Sequence, residues 1–362
     1  MRIGTRHLRH FDLPTLLVLA MLLTIGALLV ASATADDGSE IARRQILWAG
    51  IGFVGAILVG LVDYRHFIAR AYMLWASVAI LLAVVLLTGP VISGARSWVR
   101  FAGFSLQPSE FAKLAVVVAL ARYTTEREPR PMGITSLIVP TLIAFVPFGL
   151  TALQPDLGTA ATFLPLLVIV CWVVGLRRRT LLSLGAAGIA GAPLGYFMLL
   201  PYQRARLTTF LNPGADPLGS GYQIMQSKIA IGSGGFTGKG LFSGTQSQLD
   251  FLPAQHNDFI IGVLGEELGF VGVAFVLLLY LLLLLRVLRS ARLARDRSGV
   301  YLATGVAALL AYHLAVNVGM VIGFAPITGI PLPLLSAGGS STLSTCLAVG
   351  VAMSVHNKRF FV

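Results

Sequence analysis

The chain has 362 residues, 56% of them hydrophobic and 12% charged, with a mean hydropathy of +0.83 and a formal net charge of +12. Such a composition excludes an ordinary soluble domain. Repeated apolar runs of about 20 residues, each long enough to cross a hydrocarbon core roughly 30 Å thick, predict an all-α, polytopic membrane protein rather than a barrel of alternating strands.

The predicted elements form a single integral membrane domain over residues 1–362 with ten spans: 13–35, 46–62, 73–92, 109–122, 134–152, 157–176, 180–200, 259–285, 299–325 and 334–355. Arg2, Arg6 and Arg9 precede the first span, and Asp36 and Asp37 follow it without a small-residue cleavage site, so the first helix is read as retained. Of the 27 Lys and Arg residues, 18 fall in the segments on one side of these spans and 8 on the other, with Lys113 inside a span. By the positive-inside rule both termini are cytoplasmic. The net charge is therefore mainly topogenic, and nucleic-acid binding is a poor reading of it. Cys171 and Cys346 both lie in apolar runs, so neither a disulfide framework nor a metal thiolate is expected.

Span four opens with QPSEFAK at 107–113. Pro108 suits a first helical turn. Glu110 and Lys113, spaced i,i+3, share a face and form either a self-contained ion pair or part of a site. Span six opens with QPDLGT at 154–159, which puts Asp156 where an acid complements the helix dipole or serves a site. Residues 201–257 form one large extracytoplasmic loop, and loops of that length usually have a function. Its YQIMQSKIAIG stretch reads as a short amphipathic helix in the interface. The following GSGGFTGKG fails the Walker A pattern at Ser233 and Gly240, so no nucleotide is expected. Its amides and Lys239 remain available to approach a lipid phosphate.

Asp258 follows His256 and Asn257 and stands just before an apolar run that continues to Leu285. At that boundary it serves as a base, a metal ligand or a helix N-cap. Glu266 and Glu267 lie about two turns further on, roughly 12 Å at 1.5 Å per residue, and read as structural acids paired across helices. His313 and Asn317 in span nine read as interhelical hydrogen-bonding residues. The stretch GIPLPLLSAGGSS at 329–341 predicts a bent, partly unwound start to span ten. Its Ser336, Ser340 and Ser341 either donate to a ligand or pack helices closely. Asp156, Asp258, Glu110, Lys113 and the loop cations Arg96 and Arg100 thus collect at the outer face. This pattern suits an anionic lipid head group, with cations or a metal on phosphate and a spare carboxylate for acid–base work.

The segments GARSWVRFAGFSLQPSEFAKL, QPDLGTA, YQIMQSKIAIGSGG with GKG, GTQSQLDFLPAQHNDFI with GEELGF, and GIPLPLLSAGGSS occur in one order over residues 94–341. Together they resemble the signature stretches of the SEDS family (shape, elongation, division and sporulation), and GTQSQLDFLP is closest to its elongation branch. The resemblance implies a peptidoglycan glycosyltransferase that polymerises lipid II, paired with a class B penicillin-binding protein transpeptidase. It places the family's essential acid on Asp258 and a conserved Glu and Lys on Glu110 and Lys113. The chain departs from the family where it reads AQHN before Asp258 and at Ala337, where a Tyr is common. An α-linked diphosphate donor and a β-linked polymer imply inversion by direct displacement. Asp258 is then the expected general base, with Lys113, Arg100 and a divalent cation (Mg2+ or Mn2+) on the leaving diphosphate. Asp258 and Glu110 are the expected cation ligands, Glu110 and Asp156 the groups that either position Lys113 or coordinate the cation, and Lys239, Ser340 and Ser341 further substrate contacts. A lipid II flippase is the alternative activity and a non-enzymatic scaffold the third.

Overall fold

The structure is a computed structural model that describes residues 11–35, 40–92, 94–101, 104–127, 132–212, 214, 216, 219–249, 251–253 and 255–360. Arg2, Arg6, Arg9, Asp36, Asp37 and Arg130 lie outside the described residues. Helices α1 (Leu13–Ala33) and α2 (Glu40–Leu61) are followed by a short α3 (Tyr64–Ala69) and by α4 (Ala71–Thr88). A two-stranded antiparallel hairpin, β1 (Val99–Phe101) and β2 (Phe104–Leu106), leads into α5 (Pro108–Glu126). Next come α6 (Ile138–Leu153), α7 (Leu157–Ala161), α8 (Phe163–Val174) and α9 (Arg178–Met198). The large loop carries α10 (Pro201–Leu211), α11 (Ser220–Gly234) and α12 (Thr245–Gln248). The chain then runs through α13 (Ile260–Arg292), α14 (Arg297–Val321) and α15 (Gly339–Asn357).

Every expected span has its helix, the sixth being divided into α7 and α8 around Thr162. Among the described residues eight helical stretches are long and apolar enough to cross a membrane, and α5 and α15 are outside that set. Both are nonetheless 19 residues long and buried along most of their length. A helix enclosed by protein has no lipid face to satisfy, so polar side chains are tolerated where neighbours bond them. The most extensive helix contact joins α15 to α2, where Gly52, Ala56 and Gly60 repeat at i+4. A Cβ on Gly350 would come within 2.7 Å of the Ala56 carbonyl oxygen, so small residues set how closely these backbones approach. At the opposite extreme, every described residue of α9 from Leu181 to Phe197 is exposed.

Helix α13 has 33 residues and spans about 50 Å, more than a bilayer core requires. Gly269, at φ 63° and ψ −164°, interrupts it, and the Gly-rich stretch that looked like a phosphate loop fills the break. Lys239 N donates to Glu266 O at 3.0 Å and Gly240 N to Glu267 O at 2.9 Å. In return Phe270 N donates to Gly235 O at 2.9 Å and Val271 N to Phe236 O at 3.1 Å. The groups freed by the break must be satisfied in an apolar setting, and this loop does so. Gly238, at φ +78°, sits so close to the Glu267 carbonyl that no side chain fits. The loop is thus a backbone partner of α13, and its glycines answer to close packing instead of a phosphate. The helix expected at 222–232 forms as α11, and its buried Ile224, Ser227 and Ala230 dock it against α13 and α14.

Candidate functional site

At the end of the bundle where the hairpin meets the starts of α5, α7, α13 and α15 lies a cavity of about 940 Å3. Asp258 and Asp156 line it, with Arg206 of α10 as its cation and Trp98, Gln107, Thr328, Ser340 and Ser341 among the other lining residues.

Asp258 lies in the turn before α13. The helix N-cap is Phe259, and no side chain makes a capping bond there. The bland role of helix cap is therefore not the one Asp258 plays. Its main-chain carbonyl accepts from Asn317 Nδ2 at 3.0 Å, and its carboxyl group is left to the cavity. Burial pushes that carboxyl up to about 6; the Arg206 charge pulls it back somewhat, and the Asp156 charge adds to the rise.

Asp156 does cap its helix. One oxygen accepts from Thr159 N at 3.1 Å and the other from Gln107 Nε2 at 2.8 Å, which ties α7 to the start of α5. Burial raises its pKa, opposed by the bonds from Thr159. Ser340 joins the hairpin to α15, accepting from Gln107 N at 2.9 Å and donating to Ser105 O at 3.4 Å. Ser341 Oγ and Thr328 Oγ1 are buried without a hydrogen-bond partner among the described residues. Both residues line the cavity. Buried hydroxyls left unsatisfied in this way suit a polar ligand.

Four expected site residues do not line the cavity. Glu110 and Lys113 are 3% and 2% exposed and bond each other at 2.6 Å. Lys113 Nζ also donates to His313 Nε2 at 3.1 Å, and Ser344 Oγ donates to Glu110 Oε2 at 3.3 Å. The pair therefore locks α5 to α14 and α15 one turn below Ser341. A buried ammonium must be compensated, and Glu110 does this with its oxygens bonded to Lys113 and Ser344, away from the wall that Asp258 lines. Arg100 is exposed on β1, opposite Ser105. Lys239 Nζ pairs with Glu266 at 2.6 Å, and Glu266 also accepts from Gln246 N and Ser247 N, so this acid organises the large loop. Glu267 accepts from Ser32 Oγ of α1. The expected pairing across helices is thus made by Glu267 to α1, while Glu266 turns to the loop.

Arg206, midway along α10, stands in no motif that marks it as a site residue in the sequence. Its Nη1 also donates to Ile327 O at 3.3 Å.

A family model for FtsW, RodA and SpoVE, described as cell cycle protein, matches residues 10–360. The chain belongs to this family. It is 40% identical over 354 residues to the stage V sporulation protein E of Bacillus subtilis, covering 95% of this chain and 96% of that protein. It is 39% identical over 359 residues to the peptidoglycan glycosyltransferase MrdB of Escherichia coli, covering 97% and 94%. A solved structure described as showing structural coordination of polymerization and crosslinking by a peptidoglycan synthase complex superposes with a TM-score of 0.84 at 34% identity, over 97% of this chain and 99% of that one. The protein is a multi-pass membrane member of the family.

Proposed function

We propose that the protein is a peptidoglycan glycosyltransferase that polymerises lipid II at the outer face of the cytoplasmic membrane during cell elongation. In this reading it works with a class B penicillin-binding protein transpeptidase and has both termini in the cytoplasm. The observation that carries it is Asp258: an uncapping carboxyl group at the mouth of α13, facing a cavity with one arginine and two unsatisfied hydroxyls. The elongation branch rests on GTQSQLDFLP at 244–253.

The reaction needs a base on the acceptor sugar's 4-hydroxyl and positive charge on the leaving diphosphate. Asp258 takes the proton as the hydroxyl oxygen attacks the anomeric carbon of the donor from the face opposite the diphosphate, and the bond to the diphosphate oxygen breaks with inversion. Arg206 is the lining cation for the charge that develops, and the unsatisfied Ser341 and Thr328 hydroxyls are further donors. A divalent cation is usually held by one or two carboxylates plus substrate phosphates. Asp258 and Asp156 are the carboxylates that face such a cation, which would neutralise charge on the diphosphate. Among the described residues no group of three or more His, Cys, Asp or Glu side chains forms an all-protein metal cage. Flippase logic, with binding groups at mid-membrane between repeated halves, gains nothing from a cavity at one end of the bundle that gathers two carboxyl groups and an arginine.

A base must be unprotonated to act. With the Asp258 carboxyl near 6, polymerisation should rise with pH through about 6 and level off above it. A kcat/KM profile for labelled lipid II checks this, and a profile flat from pH 5 to 8 would refute it. Orientation is tested by a cysteine at Ser243, which is exposed in the large loop. Both native cysteines are buried, so background is low. Ser243→Cys should react with an impermeant reagent in intact spheroplasts, and reaction only after lysis would reverse the topology.

A further inference from the structure

Two polar residues of α14 have no part in the reaction just outlined. His313 and Asn317 stand one turn apart and are 2% and 0% exposed. In a membrane bundle such residues ordinarily bond a neighbouring helix. Asn317 instead donates through Nδ2 to two main-chain carbonyls, Asp258 O at 3.0 Å and Ile330 O at 2.9 Å. Both acceptors are carbonyls, so only the NH2 end of the amide serves them and its orientation is fixed by chemistry.

His313 acts on the next carbonyl along. Its Nδ1 lies 3.4 Å from Pro331 O, and its Nε2 faces Lys113 Nζ at 3.1 Å. An ammonium only donates, so Nε2 accepts and the ring proton sits on Nδ1, directed at Pro331 O. Successive carbonyls of 330–331 are thus gripped from α14. Gly329 and Pro331 line the cavity, and a Cβ built on Gly329 would stand 3.6 Å from Asp258 Oδ2. The Asp258 turn and the wall opposite it are therefore held by the same amide.

We propose that Asn317 is a positioning residue that sets the distance between the Asp258 carboxyl group and the 329–331 wall, and so the gap in which the acceptor hydroxyl is held. The inference rests on Asp258 being the base. A misplacement of about 1 Å at such a group can cost on the order of 10²-fold in rate without loss of binding.

Asn317→Leu removes both donors and suits an apolar bundle. Asn317→Asp keeps the shape and loses at least one donor, so it gives a second variant should the first fold poorly. In either folded variant, amide hydrogen exchange should quicken in 255–262 and 327–332 while α2 and α15 stay protected. With lipid II as substrate, kcat should fall about 10- to 100-fold with KM changed less than about threefold. In Asn317→Leu, which adds no charge, the acidic limb of the pH profile should move to lower pH as Asp258 gains water. Unchanged exchange in both segments would overturn the clamp. So would a kcat loss with the wild-type acidic limb, since a merely structural role leaves the base's surroundings alone. Exchange needs no catalysis, so the two ideas fail separately: a fully active Asp258→Asn protein overturns the base, not the grip of Asn317 on both carbonyls.

Discussion

Asp258→Asn should leave the protein folded and inserted while lowering lipid II polymerisation by about 10² or more, the usual scale for losing a positioned base. Asparagine keeps the size of the side chain and can still hydrogen-bond, but it cannot take a proton at neutral pH. The turn before α13 makes this substitution unusually clean. No side chain caps the helix there, and the contact that anchors the residue runs through its main-chain carbonyl to Asn317. Asp258→Ala should therefore also be near-silent in stability, within about 0.5 kcal/mol, where loss of a true cap would cost about 1 kcal/mol. Thermal unfolding of the purified variants and a gel assay of labelled polymer measure the two effects independently. Titration with Mg2+ or Mn2+ separates a base from a ligand: a base variant gains nothing at high metal, and substantial rescue would assign Asp258 to the cation.

The largest stability effects are expected at Lys113 and Glu110. Breaking a buried ion pair from one side leaves an uncompensated charge, at a cost of roughly 3–5 kcal/mol. Lys113→Met strands the Glu110 carboxylate and Glu110→Gln strands the ammonium, so each should lower the unfolding temperature markedly. The double variant Glu110→Gln, Lys113→Met removes both charges and should recover most of the loss, because a buried pair replaced by neutral groups is often close to neutral in stability. Since neither residue lines the cavity, the double variant should also retain at least about a tenth of the polymerisation rate, a rise of no more than ~1.4 kcal/mol in the barrier. A double variant that folds as well as wild type and makes no polymer would restore Lys113 to the diphosphate. Lys113→Arg is expected to do poorly on packing grounds, since a forked guanidinium does not fit where a compact ammonium is shared between Glu110 and His313.

The helices were legible because an apolar run has a length that the bilayer fixes. Even α5 and α15, too polar for a hydropathy criterion, were marked by QPSEFAK and by the Pro- and Gly-rich approach at 329–339. Asp258, Asp156, Ser340 and Ser341, which line the cavity, were legible as candidate residues for a related reason. Each stands where a polar stretch meets the start of a helix, and the starts of α7, α13 and α15 gather at one end of the bundle. What a linear pattern lacks is the rotation of each helix and the identity of its neighbour. Lys113 reads the same whether it faces a head group or His313, 200 residues away. Lys239 reads as a free cation until Glu266 is seen beside it. The glycines at 232–240 carry a motif-like spacing for a reason no motif encodes, a break in α13 whose backbone needs a partner.

The central claim is that this cavity joins lipid II molecules into glycan strands. The most direct measurement is incubation of labelled lipid II with the purified protein and a class B penicillin-binding protein whose transpeptidase serine has been removed. Strands should form with the wild-type protein and be absent, or reduced about 10²-fold, with Asp258→Asn. Lipid II that stays monomeric with the wild-type protein, or strands made equally well by Asp258→Asn, would contradict the account.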